Sequence, residues 1–67
     1  MNIRVNDHPR EIAADTALSD LVSVLGLGER KGVAIAINDE VVPRAVWPER
    51  RLFEGDAVLV IQATQGG

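Results

Sequence analysis

The chain closes on "QATQGG", and its last two residues, Gly66 and Gly67, are the ones best placed to do chemistry. A terminal glycine presents an α-carboxylate with no side chain beside it, and two glycines in a row can adopt almost any backbone angle. Together they make a thin tip that fits a narrow active site. A carboxylate is a poor electrophile because it is anionic and resonance-stabilised. Adenylation turns it into a mixed anhydride with AMP as leaving group, which a sulfur nucleophile such as a persulfide can attack. A chain carrying such a tip needs no catalytic residue of its own, because an activating partner supplies ATP, magnesium and charge stabilisation.

The other routes to chemistry close one by one. There are no cysteines, which removes disulfides, thiolate zinc sites, iron–sulfur clusters and a cysteine nucleophile. One histidine and no tyrosine leave little general acid–base equipment. His8, read as a turn residue beside Pro9, has no second histidine with which to complete a metal site. "GLGERKG" lacks the Walker spacing and a preceding strand, so it is not a phosphate loop. No triad, carboxylate pair or metal cluster emerges. The expectation is a protein that is not an enzyme and binds no cofactor or metal itself.

Composition narrows the setting. With 67 residues, the chain is expected to form one domain over 1–67, with a flexible tail at about 63–67. A domain of this size buries only about 60% of its unfolded surface, so its core is small. An apolar fraction of 46% suits a folded chain. The formal charge of −3 disfavours nucleic acid, whose phosphates repel it. No apolar run reaches the roughly 18 residues of a membrane span, and the first ten residues lack a signal peptide's apolar stretch. The absence of cysteine fits a cytoplasmic location.

The tip must be mounted on something. "NIRVN" alternates, with Ile3 and Val5 on one side, and predicts a strand. "NDHP" predicts a turn, with Pro9 presetting its φ, and "REIAA" a returning strand. Leu18, Leu21, Val22 and Leu25 recur at helical spacing, with Thr16 or Asp15 as cap and Gly26 or Gly28 as terminator. "VAIAIN" predicts an interior strand. Asn38, Asp39 and Glu40 form a turn before a short strand that Pro43 ends or confines to an edge. "RAVWPERRLF" is irregular with one short helical turn, "EGD" is a turn, and "AVLVIQ" is the last strand. The order β-β-α-β-β-β predicts an α+β, ubiquitin-like β-grasp: a mixed sheet of four to five strands with one main helix packed across one face. The predicted core is Ile3, Val5, Leu18, Leu21, Val22, Leu25, Ile35, Ile37, Val58 and Val60.

The last strand is apolar on both sides, yet one helix covers only one. If Val58 and Val60 face the helix, Leu59 and Ile61 face outward together with Arg4, and that face is a candidate partner surface. Trp47 is expected to plug the edge of the core, its indole N–H bonded to a carbonyl or water. Arg44, Glu49, Arg50 and Arg51 read as a solvated, mixed-charge loop.

Ala36-Ile37-Asn38, Val42-Pro43-Arg44 with Trp47, Gly55-Asp56 and the final Gly66-Gly67 resemble, in residues and spacing, the ThiS family. The resemblance runs from the first strand to the last residue, although the tail "TQGG" is less apolar than the family's. It implies a sulfur carrier of thiamine (thiazole) biosynthesis with the ubiquitin-like fold. An E1-like adenylyltransferase of the ThiF type would use ATP and magnesium to activate Gly67, with Gly66 threading the tail. A persulfide donor such as a cysteine desulfurase would convert the adenylate to a thiocarboxylate. Thiazole synthase of the ThiG type would then accept the sulfur. Two alternatives stand beside it. One is a MoaD-like small subunit of molybdopterin synthase, which shares fold and tail but tends to be longer and lacks "VPRAVW". The other is a non-covalent β-grasp interaction module.

Overall fold

The computed structural model describes residues 1–28 and 30–62. Five strands and one α-helix follow in the expected order: β1 (Asn2–Val5), β2 (His8–Glu11), α1 (Leu18–Val24), β3 (Val33–Ile37), β4 (Glu40–Val42) and β5 (Ala57–Gln62), with a 3-10 turn at Arg44–Val46 before β5. The sheet order is β2-β1-β5-β3-β4. β1 and β5 are parallel, and every other pair is antiparallel. This is the mixed sheet of a β-grasp, with the last strand at its centre.

Both hairpins turn on an Asn-Asp pair in the left-handed region: Asn6 and Asp7 at φ 50° and 67°, Asn38 and Asp39 at 51° and 70°. Two-residue turns of this kind match the twist of the flanking strands, and Asn and Asp tolerate the backbone they require. The first turn is therefore tighter than "NDHP" suggested. His8 and Pro9 already lie in β2, opposite Val5 and Arg4, and β2 ends at Glu11 instead of running through "REIAA". Pro9 is harmless there. Ile12 N–H bonds Met1 O, so alternate residues point their N–H groups at β1 and the proline falls on the outward side of an edge strand. The second turn is likewise Asn38-Asp39 alone, with Glu40 already paired in β4 opposite Ile37.

The helix starts differently from the sequence expectation. Neither Thr16 nor Asp15 caps it: Ala17 is the N-cap and makes no side-chain cap bond, Thr16 Oγ1 donates to Ala13 O, and Asp15 takes φ 68°. The first helical N–H groups find tertiary partners instead. Leu18 N–H donates to Arg50 O at 2.8 Å and Ser19 N–H to Trp47 O at 3.2 Å. The segment before β5 runs past the helix start, where Ala17 bridges Arg51, and its carbonyls do the work of a cap. The helix ends as expected at Gly26, φ 77°, with Gly26 N–H on Ser23 O and Leu27 N–H on Val22 O, a Schellman arrangement.

The helix lays Leu18, Leu21 and Val22 on Ile3, Ile35, Ile37 and Val58 from the sheet. Val5, Leu25 and Val60, expected in the core, pack at its margin and are only half-buried. Val42, Trp47 and Leu52 complete the core. Trp47 is 4% exposed, and its indole N–H donates to Val42 O at 2.9 Å.

Candidate functional site

The expected functional tip, Gly66 and Gly67, lies outside the described residues, so the site is seen through the strand that leads to it. β5 is held by asparagine side chains at its start and again part-way along. At its start Asn38 Oδ1 accepts the Ala57 N–H at 3.0 Å, Asn38 Nδ2 donates to Asp56 Oδ1 at 3.0 Å, and Asp56 Oδ2 accepts the Phe53 N–H at 2.8 Å. Asp56 is 6% exposed and is the buried polar residue of the domain's described part. Asn38 and Asp56 each belong to a segment that looked like a plain turn. Nothing in their separate spacing shows that they meet.

Farther along, β1 ends at Val5 while β5 continues. Its parallel ladder covers only Arg4↔Ala57 and Val5↔Val58. Asn6, the first residue of the turn, extends the pairing past the end of β1: its backbone N–H donates to Val58 O at 2.9 Å, and its Oδ1 accepts the Val60 N–H at 2.8 Å. On the other side β5 stays paired with β3 to the end, where Gln62 faces Val33. The strand that leads to the tail is thus fixed in register up to the last described residue.

The outer face of the sheet carries the second set of candidate residues. The register Arg4↔Ala57 puts Arg4 on the same side as Ala57, and strand alternation adds Leu59 and Ile61. Leu59 and Ile61 are 48% and 47% exposed. The structure therefore brings Arg4, Leu59 and Ile61 to one exposed face. Val41 joins them across the sheet, because Leu59 faces Ala36 and Ala36 faces Val41. Its side chain is 67% exposed. A three-residue strand shows no alternation that marks Val41 as outward, so only the ladder makes it part of the patch. A hollow of about 230 Å³ beside Leu59 is lined by Arg4, Asn6, Asp7, Asp39, Ala57 and Val58.

The arginines near Trp47 do more than face solvent. Arg44 lies over the Trp47 ring, 4.9 Å from its centroid, and donates to Arg30 O at 3.0 Å. It thereby ties the loop after α1 to the indole. Arg51 donates to Asp15 O at 2.8 Å, fixing the approach to the helix. His8 is exposed on the edge strand. Among the described residues no three His, Cys, Asp or Glu side chains gather to hold a metal ion, and no helix is long and apolar enough to cross a membrane.

Sheet order, crossing helix and central last strand define a ubiquitin-like β-grasp domain, and solved structures of that class superpose on it. A crystal structure of the thiamine biosynthesis protein ThiS from Geobacter metallireducens does so with a TM-score of 0.85 at 29% identity, and the match covers all of both chains. SAMP1 from Haloferax volcanii, at 12% identity and a TM-score of 0.62 over 98% of this chain and 97% of its own, shares the fold. The ThiS family profile matches residues 3–67. The sulfur carrier protein ThiS of Escherichia coli is 34% identical over the full length of both chains. That of Thermus thermophilus is 36% identical over 94% of this chain and 95% of its own. The chain belongs to the ThiS family of sulfur carrier proteins, and its role is that of a carrier in thiamine biosynthesis, not a catalyst.

Proposed function

We propose that Gly67 is the residue that carries the sulfur. Its carboxylate is adenylated by an E1-like, ThiF-type enzyme that uses ATP and magnesium. A persulfide sulfur, supplied by a donor such as a cysteine desulfurase, then displaces AMP and leaves a thiocarboxylate. Thiazole synthase of the ThiG type takes the sulfur onward. Gly66 supplies the narrow, pliant backbone that lets the tip enter both active sites. The exposed face of Arg4, Leu59 and Ile61, with Val41, docks these enzymes while the tail is engaged. The cycle belongs in the cytoplasm and involves neither nucleic acid nor membrane.

The observation that carries this reading is the extent of the family match, which runs to residue 67 and so includes both glycines. The pinning of β5 supports it as well, since the strand that leads to the tail is held in register on the sheet that carries the docking face. Incubation with the adenylating enzyme, ATP, magnesium and a sulfur source should raise the intact mass by about 16 Da, the difference between sulfur and oxygen. A mass unchanged under conditions in which the enzyme charges a known carrier would remove Gly67 from this role.

A further inference from the structure

β5 carries both outward apolar residues of the candidate docking face, Leu59 and Ile61, and its two sides are supported unequally. On one side β3 pairs with it from Val58 to Gln62. On the other side the parallel ladder with β1 ends at Val5↔Val58, before either docking residue is reached. The next β5 amide on that side is the Val60 N–H, which lies between Leu59 and Ile61 in the chain. The Leu59 and Ile61 amides point the other way, toward Ala36 and Ala34 of β3.

Asn6 supports Val60 with its side chain. In a parallel pair a residue donates its N–H to the neighbouring strand and accepts, on its own C=O, the N–H two residues farther along that strand. Asn6 makes the first bond in the ordinary way, from its N–H to Val58 O at 2.9 Å. The second is different: the Val60 N–H meets Asn6 Oδ1 at 2.8 Å. Asn6 takes φ 50° and the chain turns toward β2 at this residue, so the amide oxygen stands in for the main-chain carbonyl. The position therefore sets two conditions at once. Positive φ favours glycine, asparagine and aspartate, and the need for an acceptor on a short side chain excludes glycine. Asparagine and aspartate meet both.

Resting on the reading that the face of Leu59 and Ile61 docks the adenylating enzyme, we infer that Asn6 is a positioning residue for that docking. Its bond to Val60 holds the stretch of β5 between the two docking side chains on the side where backbone pairing with β1 has ended. Without that bond the Val60 N–H turns to water and this edge of the strand loosens. The enzyme then meets Leu59 and Ile61 on a strand that has to be ordered on binding, which lowers affinity and leaves the activation chemistry as it was.

The test uses the full chain with its adenylating enzyme, ATP and magnesium, and follows pyrophosphate release at varied carrier concentration. Asn6→Gly keeps the backbone of the turn and removes the acceptor. It should raise the KM for the carrier about five- to tenfold, the equivalent of one hydrogen bond, and leave kcat within about twofold of wild type. Asn6→Asp keeps both properties and should stay within about twofold in both constants. Amide exchange locates the effect: in Asn6→Gly the Val60 amide should exchange at least about tenfold faster, while the Leu59 and Ile61 amides keep their protection. Equal acceleration of all three amides would make Asn6 a residue of the fold alone and overturn the inference. So would an unchanged KM in Asn6→Gly, a loss of kcat in its place, or an Asn6→Asp variant as weak as Asn6→Gly. Should Asn6→Gly fail to fold, the wild type and Asn6→Asp decide: protection of Val60 in both, with equal KM, upholds the inference, and a wild-type Val60 amide that exchanges like an open peptide overturns it. Ile61→Asp, assayed beside them, separates the two readings. If it binds as wild type does, the docking face and the inference fall together, and if it loses binding while Asn6→Gly does not, the inference falls alone.

Discussion

Asn38 and Asp56, 18 residues apart, close a hydrogen-bonded unit at the foot of β5, with Asn38 Nδ2 donating to Asp56 Oδ1 at 3.0 Å. The same asparagine accepts the Ala57 N–H, and the same carboxylate accepts the Phe53 N–H. Replacing Asp56 by Ala leaves the Asn38 amide and the Phe53 N–H, in partly buried bonds, without their acceptor. Hydrogen bonds to a charged group contribute about 1.5–3 kcal/mol, and Asp56→Ala should destabilise the fold by that amount. A urea unfolding midpoint equal to wild type would show that the unit is replaced by water.

The helix offers a second measure. Leu21 is 1% exposed and packs in the cluster that joins α1 to the sheet. Leu21→Ala should cost about 2–5 kcal/mol. For 67 residues the total stability is on the order of 3–10 kcal/mol, so the variant should be marginal or unfolded at room temperature. Thermal denaturation by circular dichroism reads this directly, and an unchanged melting temperature would contradict the packing of the helix.

These two positions differ in how much of them the sequence showed. Leu21 follows from helical periodicity, as Ile3, Ile35 and Val58 follow from strand alternation, because a period is a local pattern. Element order and the outward pointing of Leu59 and Ile61 followed in the same way. Contacts between distant segments leave no such mark. The helix cap is the clearest case: Asp15 and Thr16 have the right chemistry, but Leu18 and Ser19 bond the Arg50 and Trp47 carbonyls, some thirty residues on. The irregular "RAVWPERRLF" hides that role because its order comes from what it touches. The Asn38–Asp56 pair and the Asn6 bond to Val60 are of the same kind.

The outer face makes a prediction that separates binding from folding. Ile61 sits in the central strand with its side chain 47% exposed, beside Leu59. Ile61→Asp trades a good strand residue for a poor one and should cost about 1 kcal/mol of stability. A charge at the centre of an apolar interface is far more damaging to association, where central contacts contribute about 2 kcal/mol or more each. The variant should stay folded and lose measurable binding to the adenylating enzyme by calorimetry. Equal affinity for wild type and variant would remove this face from the interface.

The tip gives the last prediction. The described core and strand pairing reach no farther than Gln62, opposite Val33, so deleting Gly67 should leave the melting temperature unchanged. Loading should collapse all the same. With β5 fixed in register by Asn38 at one end and Asn6 farther along, docking of the domain fixes the point from which the remaining residues must reach the activating centre. Losing one residue withdraws the carboxylate by about 3.5 Å. Misplacement by about 1 Å can already cost about a hundredfold in rate, so sulfur loading should fall by at least that factor. Gly66→Ala keeps the length and adds one methyl group, so it should load at an intermediate rate set by steric fit. Time-resolved intact mass measures both variants against wild type. Loading by the shortened chain at the wild-type rate would mean that reach does not matter and that Gly67 is not the reacting residue.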